Sequence, residues 1–319
     1  MRNLLCFLFI MTALYGCSKE KESPRGTASP NTITVSGAWA LYPLVVTWAE
    51  EYQKKNPGVI VDVSAGGTGK GMADALSGAA DLAMASRDIT KAETAQGAWF
   101  ISVAKDAVVP MMSDANPLKE ALLKRGITRK EFASIWISGT LISWDALAKS
   151  ERKYPLHAYT RSDACGASET WAKYVGGTQE DLKGICVYGD PGLAEAVRKD
   201  PLGIGYNNVN FAYDAITKKT IRGLLPVPVD INGSGNIEPD ENFYNDRDAL
   251  VKAIADNKYP SPPARTLHLA ARGMPQKQQV RDFLLWILGD GQRYVSESGY
   301  ICLPGESLKK QAEVLTKKP

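Results

Sequence analysis

From Ile33 onward the chain alternates short runs of β-branched residues with segments whose apolar residues recur at helical spacing. A strand pairing in parallel with its successor needs a crossover long enough for a helix, so this alternation predicts an α/β fold with helix-covered parallel sheets. Residues 33–35 read as a strand, and the segment after them puts Leu41, Leu44, Val45, Trp48 and Tyr52 on one helical face, with Glu50, Glu51 and Lys54 opposite. Residues 59–63 predict a second strand, 69–77 a helix and 82–85 a third strand. From about residue 107 the pattern restarts, with strands at 108–112, 156–159, 185–188 and 204–206, helices within 118–135 and a helix from Ala167. Residues 266–271 form a further strand, and Val280, Phe283, Leu284, Ile287 and Leu288 mark a last helical face. These elements fit two lobes, 32–106 with 264–319 and 107–263, joined by two crossings that act as a hinge.

The first residues are of another kind. Arg2 precedes an apolar run over 4–15, of signal-peptide length and short for a membrane span. It ends Leu14-Tyr15-Gly16-Cys17, which resembles a bacterial lipobox, so 1–16 reads as a lipoprotein signal peptide and Cys17 as the lipidated first residue of the mature chain. A plain signal peptide with a chance cysteine is the alternative. The polar stretch over 17–31 builds no core and suits a disordered tether. The product is expected to be exported, facing the periplasm or the cell exterior, and to touch the membrane only through its lipid.

Length and composition bound the rest. With 319 residues, 44% hydrophobic and 23% charged, the chain supports two modest globular lobes. A net charge of +3 without a basic run or interleaved aromatics argues against nucleic-acid binding. Of five cysteines, Cys6 and Cys17 leave with signal and anchor, so Cys165, Cys186 and Cys302 allow at most one bridge. His157 and His268 stand too far apart in sequence to suggest a zinc site.

Three strand-to-helix turns share one local grammar: Ser36-Gly37-Ala38-Trp39-Ala40-Leu41, Ala65-Gly66-Gly67-Thr68-Gly69-Lys70-Gly71, and Thr160-Arg161-Ser162-Asp163-Ala164-Cys165-Gly166-Ala167-Ser168. Each sets unpaired N–H groups and a positive helix end at the carboxyl edge of a sheet, where α/β proteins bind ligands. Together they suit one tetrahedral anion. The second turn is not a Walker A loop, because Ser64 stands where its first glycine belongs and Gly71 follows Lys70. Asp163, two residues after Arg161, is placed to hold the guanidinium fork toward an oxyanion, and Arg87 after Ser86 is a second cation at a strand end. Trp39, Tyr42, Trp144 and Tyr206 are assigned to the core.

Val35 to Leu44, Gly66-Gly67-Thr68-Gly69, Asp81 to Arg87 and Tyr159-Thr160-Arg161-Ser162-Asp163 resemble, in order, the motifs of periplasmic phosphate-binding proteins, the substrate receptors of phosphate ABC transporters. Ser298-Gly299-Tyr300 resembles that family's C-terminal pattern. The resemblance implies a two-lobed type II periplasmic-binding-protein fold and a receptor, not an enzyme. It implies phosphate cradled by the backbone at Ala40 and Leu41, by Thr68, Ser86 and Arg161, with Asp163 orienting the arginine and Cys165, Gly166 and Ala167 closing the site. It also implies an ABC permease as partner and a monomeric receptor. Arg87 stands where many members carry a proton-accepting carboxylate, and Cys165 and Ala167 where they carry Ser and Thr, so sulfate and arsenate remain alternative ligands.

A separate motif, Asp230-Ile231-Asn232-Gly233-Ser234-Gly235-Asn236-Ile237-Glu238-Pro239-Asp240-Glu241, has EF-hand loop spacing, with Asp230, Asn232, Ser234, Asn236 and Glu241 as candidate Ca²⁺ ligands. No cofactor is required, and a metal-free Asx turn is the alternative. Two further rivals are a hydrolase with Cys165 as nucleophile and a receptor that serves as adhesin or sensor without transport.

Overall fold

The computed structural model describes residues 31–317; the apolar N-terminal run, Cys17 and most of the tether lie outside the described residues. β1 (Thr32–Gly37) is followed by α1 (Tyr42–Lys55), β2 (Ile60–Ala65), α2 (Thr68–Ser77) and β3 (Leu82–Ala85). Next come α3 (Lys91–Ala95), β4 (Ala98–Ser113), α4 (Lys119–Arg125), β5 (Ile127–Thr128), α5 (Arg129–Ala133) and α6 (Trp144–Ala148). β6 (His157–Arg161), α7 (Gly166–Val175), β7 (Ile185–Val187), α8 (Gly189–Lys199) and β8 (Gly203–Asn208) resume the alternation. β9 (Leu224–Pro226), β10 (Val229–Asp230), α9 (Arg247–Ala255), β11 (Ala264–Arg272), α10 (Gln278–Leu288), α11 (Arg293–Glu297) and α12 (Gly305–Thr316) follow.

One sheet runs in the order β2-β1-β3-β11-β4-β8-β6-β7, with β9 also paired to β4, while β10 pairs β5. β1 is parallel to β2 and β3, and β6 to β7 and β8, as the alternation predicts. The sheet is nonetheless mixed: β11 runs antiparallel to β3 and β4, and β4 antiparallel to β8 and β9. The strand read at 108–112 is the second half of β4, which begins at Ala98 and continues unbroken through residue 107. Lys105 and Asp106 lie mid-strand in β4, with Asp106 buried opposite Arg265 in the β11 register.

The larger buried apolar clusters meet along β4. One gathers Leu44, Trp48, Val103, Leu267 and Phe283 around the β1–β3 end. The other gathers Val108, Met112, Phe132, Trp136, Trp171 and Tyr206. In the second, Trp171 stacks on Tyr206 at 5.5 Å and meets Trp136 edge-on at 5.4 Å, an aromatic block that fixes α7 on the sheet. A smaller cluster of Met72, Ala75, Ala83, Ala85 and Ala270 seats α2. Cys165, Cys186 and Cys302 are all free thiols. Among the described residues no helix is long and apolar enough to cross a membrane.

Candidate anion-binding site

The turns singled out in the sequence lie at strand ends facing the junction of the two cores. Gly37 has φ +134°, and a Cβ there would lie 2.4 Å from the Met84 carbonyl oxygen, so only glycine lets β1 turn against β3. Its carbonyl accepts the N–H groups of Gly66 at 2.9 Å and Gly67 at 3.0 Å, locking the first turn to the second. Neither α1 nor α2 has a side-chain N-cap; at the start of α1 the Tyr42 N–H donates to the Ala38 carbonyl at 3.2 Å and Pro43 has no N–H, so what these ends offer an anion is chiefly the positive helix dipole. Thr68 is fully buried; its Oγ1 accepts the Ser86 N–H at 3.1 Å and lies 3.3 Å from Ser86 Oγ.

The third turn comes from the other core and touches the second and Ser86. The Gly69 N–H donates to the Ala164 carbonyl at 3.2 Å. A Cβ on Gly67 would stand 3.0 Å from Asp163 Oδ2, and one on Gly166 would stand 2.3 Å from the Ser86 carbonyl oxygen. Gln179 holds this turn from behind, donating to the Asp163 carbonyl at 2.8 Å and accepting the Cys165 N–H at 3.2 Å. The Gly166 and Ala167 N–H groups, in the first turn of α7, have no intrahelical acceptor.

Arg161 supplies the charge. Its side chain is 1% exposed, and Asp163 holds it bidentately, with Nε to Oδ1 at 2.8 Å and Nη2 to Oδ2 at 2.5 Å. Asp163 Oδ1 also accepts the Gly189 N–H at 3.1 Å, and Nη1 of Arg161 donates to Asp190. Burial opposes the charge, but Asp190 foremost, and Asp163 with it, hold the guanidinium pKa above its ordinary value.

Of the other predicted residues, Ala40 and Leu41 are buried, and the Ala40 carbonyl accepts the Tyr300 hydroxyl at 2.7 Å. Their loop approaches the same region through Trp39, which lies 3.5 Å from the Cβ position of Gly189. Arg87 does not join Arg161. It donates to both Glu93 carboxylate oxygens, at 2.9 and 2.7 Å, and to Glu169 at 3.0 Å. Cys165 is buried and caps α7, its sulfur accepting the Ser168 N–H at 3.5 Å. Burial pushes its thiol pKa up, away from the thiolate a nucleophile needs.

Asp190, Asn208 and Ser168 were not among the predicted site residues. Ser168 and Thr160 both bond the Tyr206 hydroxyl, at 2.8 and 2.7 Å, so this core aromatic carries a polar link beneath the third turn. Asp190 was findable: the β7 strand, then Gly189-Asp190 and a helix, repeat the grammar of the other three turns.

A cavity of about 400 Å³ adjoins the contact between the turns, lined by Gly69, Arg87, Ala164, Cys165, Glu169 and Lys173 among others. A larger one, about 610 Å³, lies against Thr128–Ala133 and the 230–233 segment, away from Arg161 and Thr68. The smaller lies beside the meeting of the second and third turns, through Gly69, Ala164 and Cys165, but Thr68, Ser86 and Arg161 do not line it.

The 230–241 loop lies elsewhere in the fold. Asp230 accepts N–H groups from Gly233, Ser234 and Gly235, Asn232 accepts from Ser234, and Glu241 accepts from Ile231, Asn232 and Glu238. Ser234 Oγ donates to the Asn236 carbonyl at 2.9 Å. Among the described residues no group of three or more His, Cys, Asp or Glu side chains is placed to hold a metal ion.

A family model described as the PBP superfamily domain matches residues 22–290. The chain belongs to the PBP superfamily. It is 28% identical over 233 residues to the phosphate-binding protein PstS of Bacillus subtilis, covering 70% of this chain and 74% of that one. With PstS of Methanocaldococcus jannaschii it shares 23% identity over 366 residues, covering 96% and 92%. Among solved structures, a putative phosphate ABC transporter substrate-binding protein with bound phosphate from Clostridium perfringens superposes with TM-score 0.70 at 20% identity, covering 86% of this chain and 100% of that one. An ABC-type phosphate transport receptor from Vibrio cholerae gives 0.60 at 18%, covering 85% and 100%. These superpositions establish the two-lobed fold of this PBP-superfamily chain. Its relatives are binding proteins, so the hydrolase reading of Cys165 is set aside, in keeping with its buried thiol.

Proposed function

We propose that this protein is an exported, lipid-anchored receptor that captures inorganic phosphate between its two cores and delivers it to an ABC transporter permease. One observation carries the reading: backbone turns from both cores meet around buried Thr68, Ser86 and Arg161. Amide dipoles, hydroxyls and a held guanidinium are what a small tetrahedral oxyanion needs in place of water. The names of the PstS relatives support phosphate as that anion. The cores are taken as lobes over 32–106 with 264–319 and over 107–263, and the receptor as a monomer tethered through Cys17. A permease gene beside its own would separate a transport receptor from an adhesin or sensor.

Asp163 and Asp190 beside Arg161 favour an anion that brings a proton, because a fully deprotonated one such as sulfate meets two carboxylates with nothing to donate. Calorimetry of the chain freed of its first 30 residues tests this. Heat with phosphate, competition by arsenate and silence with sulfate are expected; tight sulfate binding without a phosphate signal overturns the phosphate reading. The 230–241 loop is proposed in addition as a lone calcium site. Asp230 and Glu241 are 2% and 4% exposed and make no ion pair with a basic side chain among the described residues, so a cation would neutralise buried charge.

A further inference from the structure

Behind Arg161 a line of buried polar side chains leads away from the proposed anion site. Asp190 takes Nη1 of Arg161 on one oxygen and the side-chain amide of Asn208 on the other. The Asn208 side-chain oxygen in turn accepts Nη2 of Arg265. Arg265 grips Asp106 with Nε at 2.9 Å and Nη2 at 3.2 Å, and reaches Thr170 of α7 with Nη1 at 3.2 Å. From Asp163 to Asp106 the charges alternate in sign through Arg161, Asp190 and Arg265, with neutral Asn208 between the last two. Only one orientation of the Asn208 amide serves both neighbours.

The far end of this line lies where the cores join. Asp106 and Arg265 are register partners on β4 and β11. On β4, Ala104 belongs to one core and Ala107 to the other; on β11, Leu267 belongs to the first and Ala264 packs on the second. Relative rotation of the cores must bend these two strands here. Arg265 therefore joins a crossing strand to β8 and α7, both in the core that supplies Arg161.

We propose that Asp190 and Arg265 are positioning residues that couple anion binding at Arg161 to closure of the two cores. The inference rests on the phosphate-receptor reading. Three of the five Arg161 N–H groups are taken by Asp163 and Asp190, leaving one on each Nη nitrogen for an anion. An anion there competes with Asp190 for the guanidinium. Asp190 then leans on Asn208, and Asn208 on Arg265, whose contacts with Asp106 and Thr170 fix the closed geometry of the crossing strands.

The test uses the full-length protein in detergent. Phosphate affinity is measured by calorimetry and phosphate-induced compaction by small-angle scattering, for wild type, Arg265→Lys, Asp190→Asn, their double variant and Asp106→Asn. Asp106→Asn keeps the shape of the pair while removing one charge, so it serves if Arg265→Lys folds poorly. Coupling predicts at least about a tenfold loss of affinity and reduced compaction in Arg265→Lys and Asp106→Asn, and a departure from additivity of about threefold or more between Asp190→Asn and Arg265→Lys. A wild type that binds and compacts, with Arg265→Lys and Asp106→Asn doing the same at unchanged affinity, overturns the coupling alone. A wild type that binds no phosphate overturns the receptor reading and the coupling with it.

Discussion

At Gly166 the third turn packs tightly on Ser86 of the other core, and that closeness separates folding from closing. A Cβ there would lie 2.3 Å from the Ser86 carbonyl oxygen and 2.4 Å from Ser86 Oγ, and the backbone cannot yield without parting the turns. Gly166 and Ser86 belong to different cores, so an open molecule accommodates the extra methyl and a closed one does not. Overpacking of this kind costs about 1–3 kcal/mol, so Gly166→Ala is expected to weaken phosphate binding about tenfold. The ligand-free melting temperature should hold; an equal loss of stability without phosphate would place the clash in the fold and not in closure. Arg161 and Asp163 were legible in the sequence because their pairing is local, two positions apart on one strand end. The turn that carries Asp190 shows the same grammar, but its contact with Arg161 was not legible, since it arises only through the parallel pairing of β6 and β7. Arg87 shows the converse limit. Its adjacency to Ser86 suggested a ligand donor, but its guanidinium is bound by Glu93, in the α3 capping box, and by Glu169 on α7.

Individual elements carry their own pH and metal signatures. His268 sits on β11 between β3 and β4, edge-on to Phe100 and 3.1 Å from Ser102 Oγ. Burial lowers its pKa from 6.5 to about 4, with only Asp88 opposing. The folded pKa is thus below the unfolded one, so as pH falls from about 6.5 toward 4 the unfolded chain takes a proton that the folded chain refuses. Stability is lost across that window, by about 2 kcal/mol between pH 7 and pH 5. Thermal melts at these two pH values should differ less in His268→Gln than in wild type; an unchanged difference would mean the ring is protonated in the fold. For the 230–241 loop, millimolar calcium is expected to raise the melting temperature relative to chelator, and Glu241→Gln to abolish the rise. No response would leave the loop a metal-free turn, in which its carboxylates serve only backbone N–H groups. The parallel halves of the sheet were readable because each strand feeds its own helix. The antiparallel crossing was not: β4 holds Lys105-Asp106 mid-strand, and no local signal says that Asp106 will be neutralised by Arg265, 159 residues later.

At the scale of the whole molecule, an opening motion must break charged contacts between the cores, and one group of them lies around Arg87. This arginine follows β3 in one core, and its Nε reaches Glu169 on α7 of the other at 3.0 Å, with Lys173 of α7 lying 3.8 Å from Asp88. Glu93, in its own core, keeps the guanidinium aimed across the junction whether or not Glu169 is near. A partly exposed pair of this kind is worth at most about 1 kcal/mol, too little to set the fold and enough to bias an equilibrium between open and closed forms. Because the pair exists only when the cores are together, removing it should act on release and not on capture. Glu169→Gln is therefore expected to raise the phosphate dissociation rate about fivefold in stopped-flow measurements, with the association rate unchanged. The increase should shrink as salt is raised, since screening already weakens the wild-type pair. An unaltered dissociation rate at low salt would mean that the buried line from Arg161 to Asp106, and the packing of Gly166 on Ser86, hold the closed form without help from surface charge.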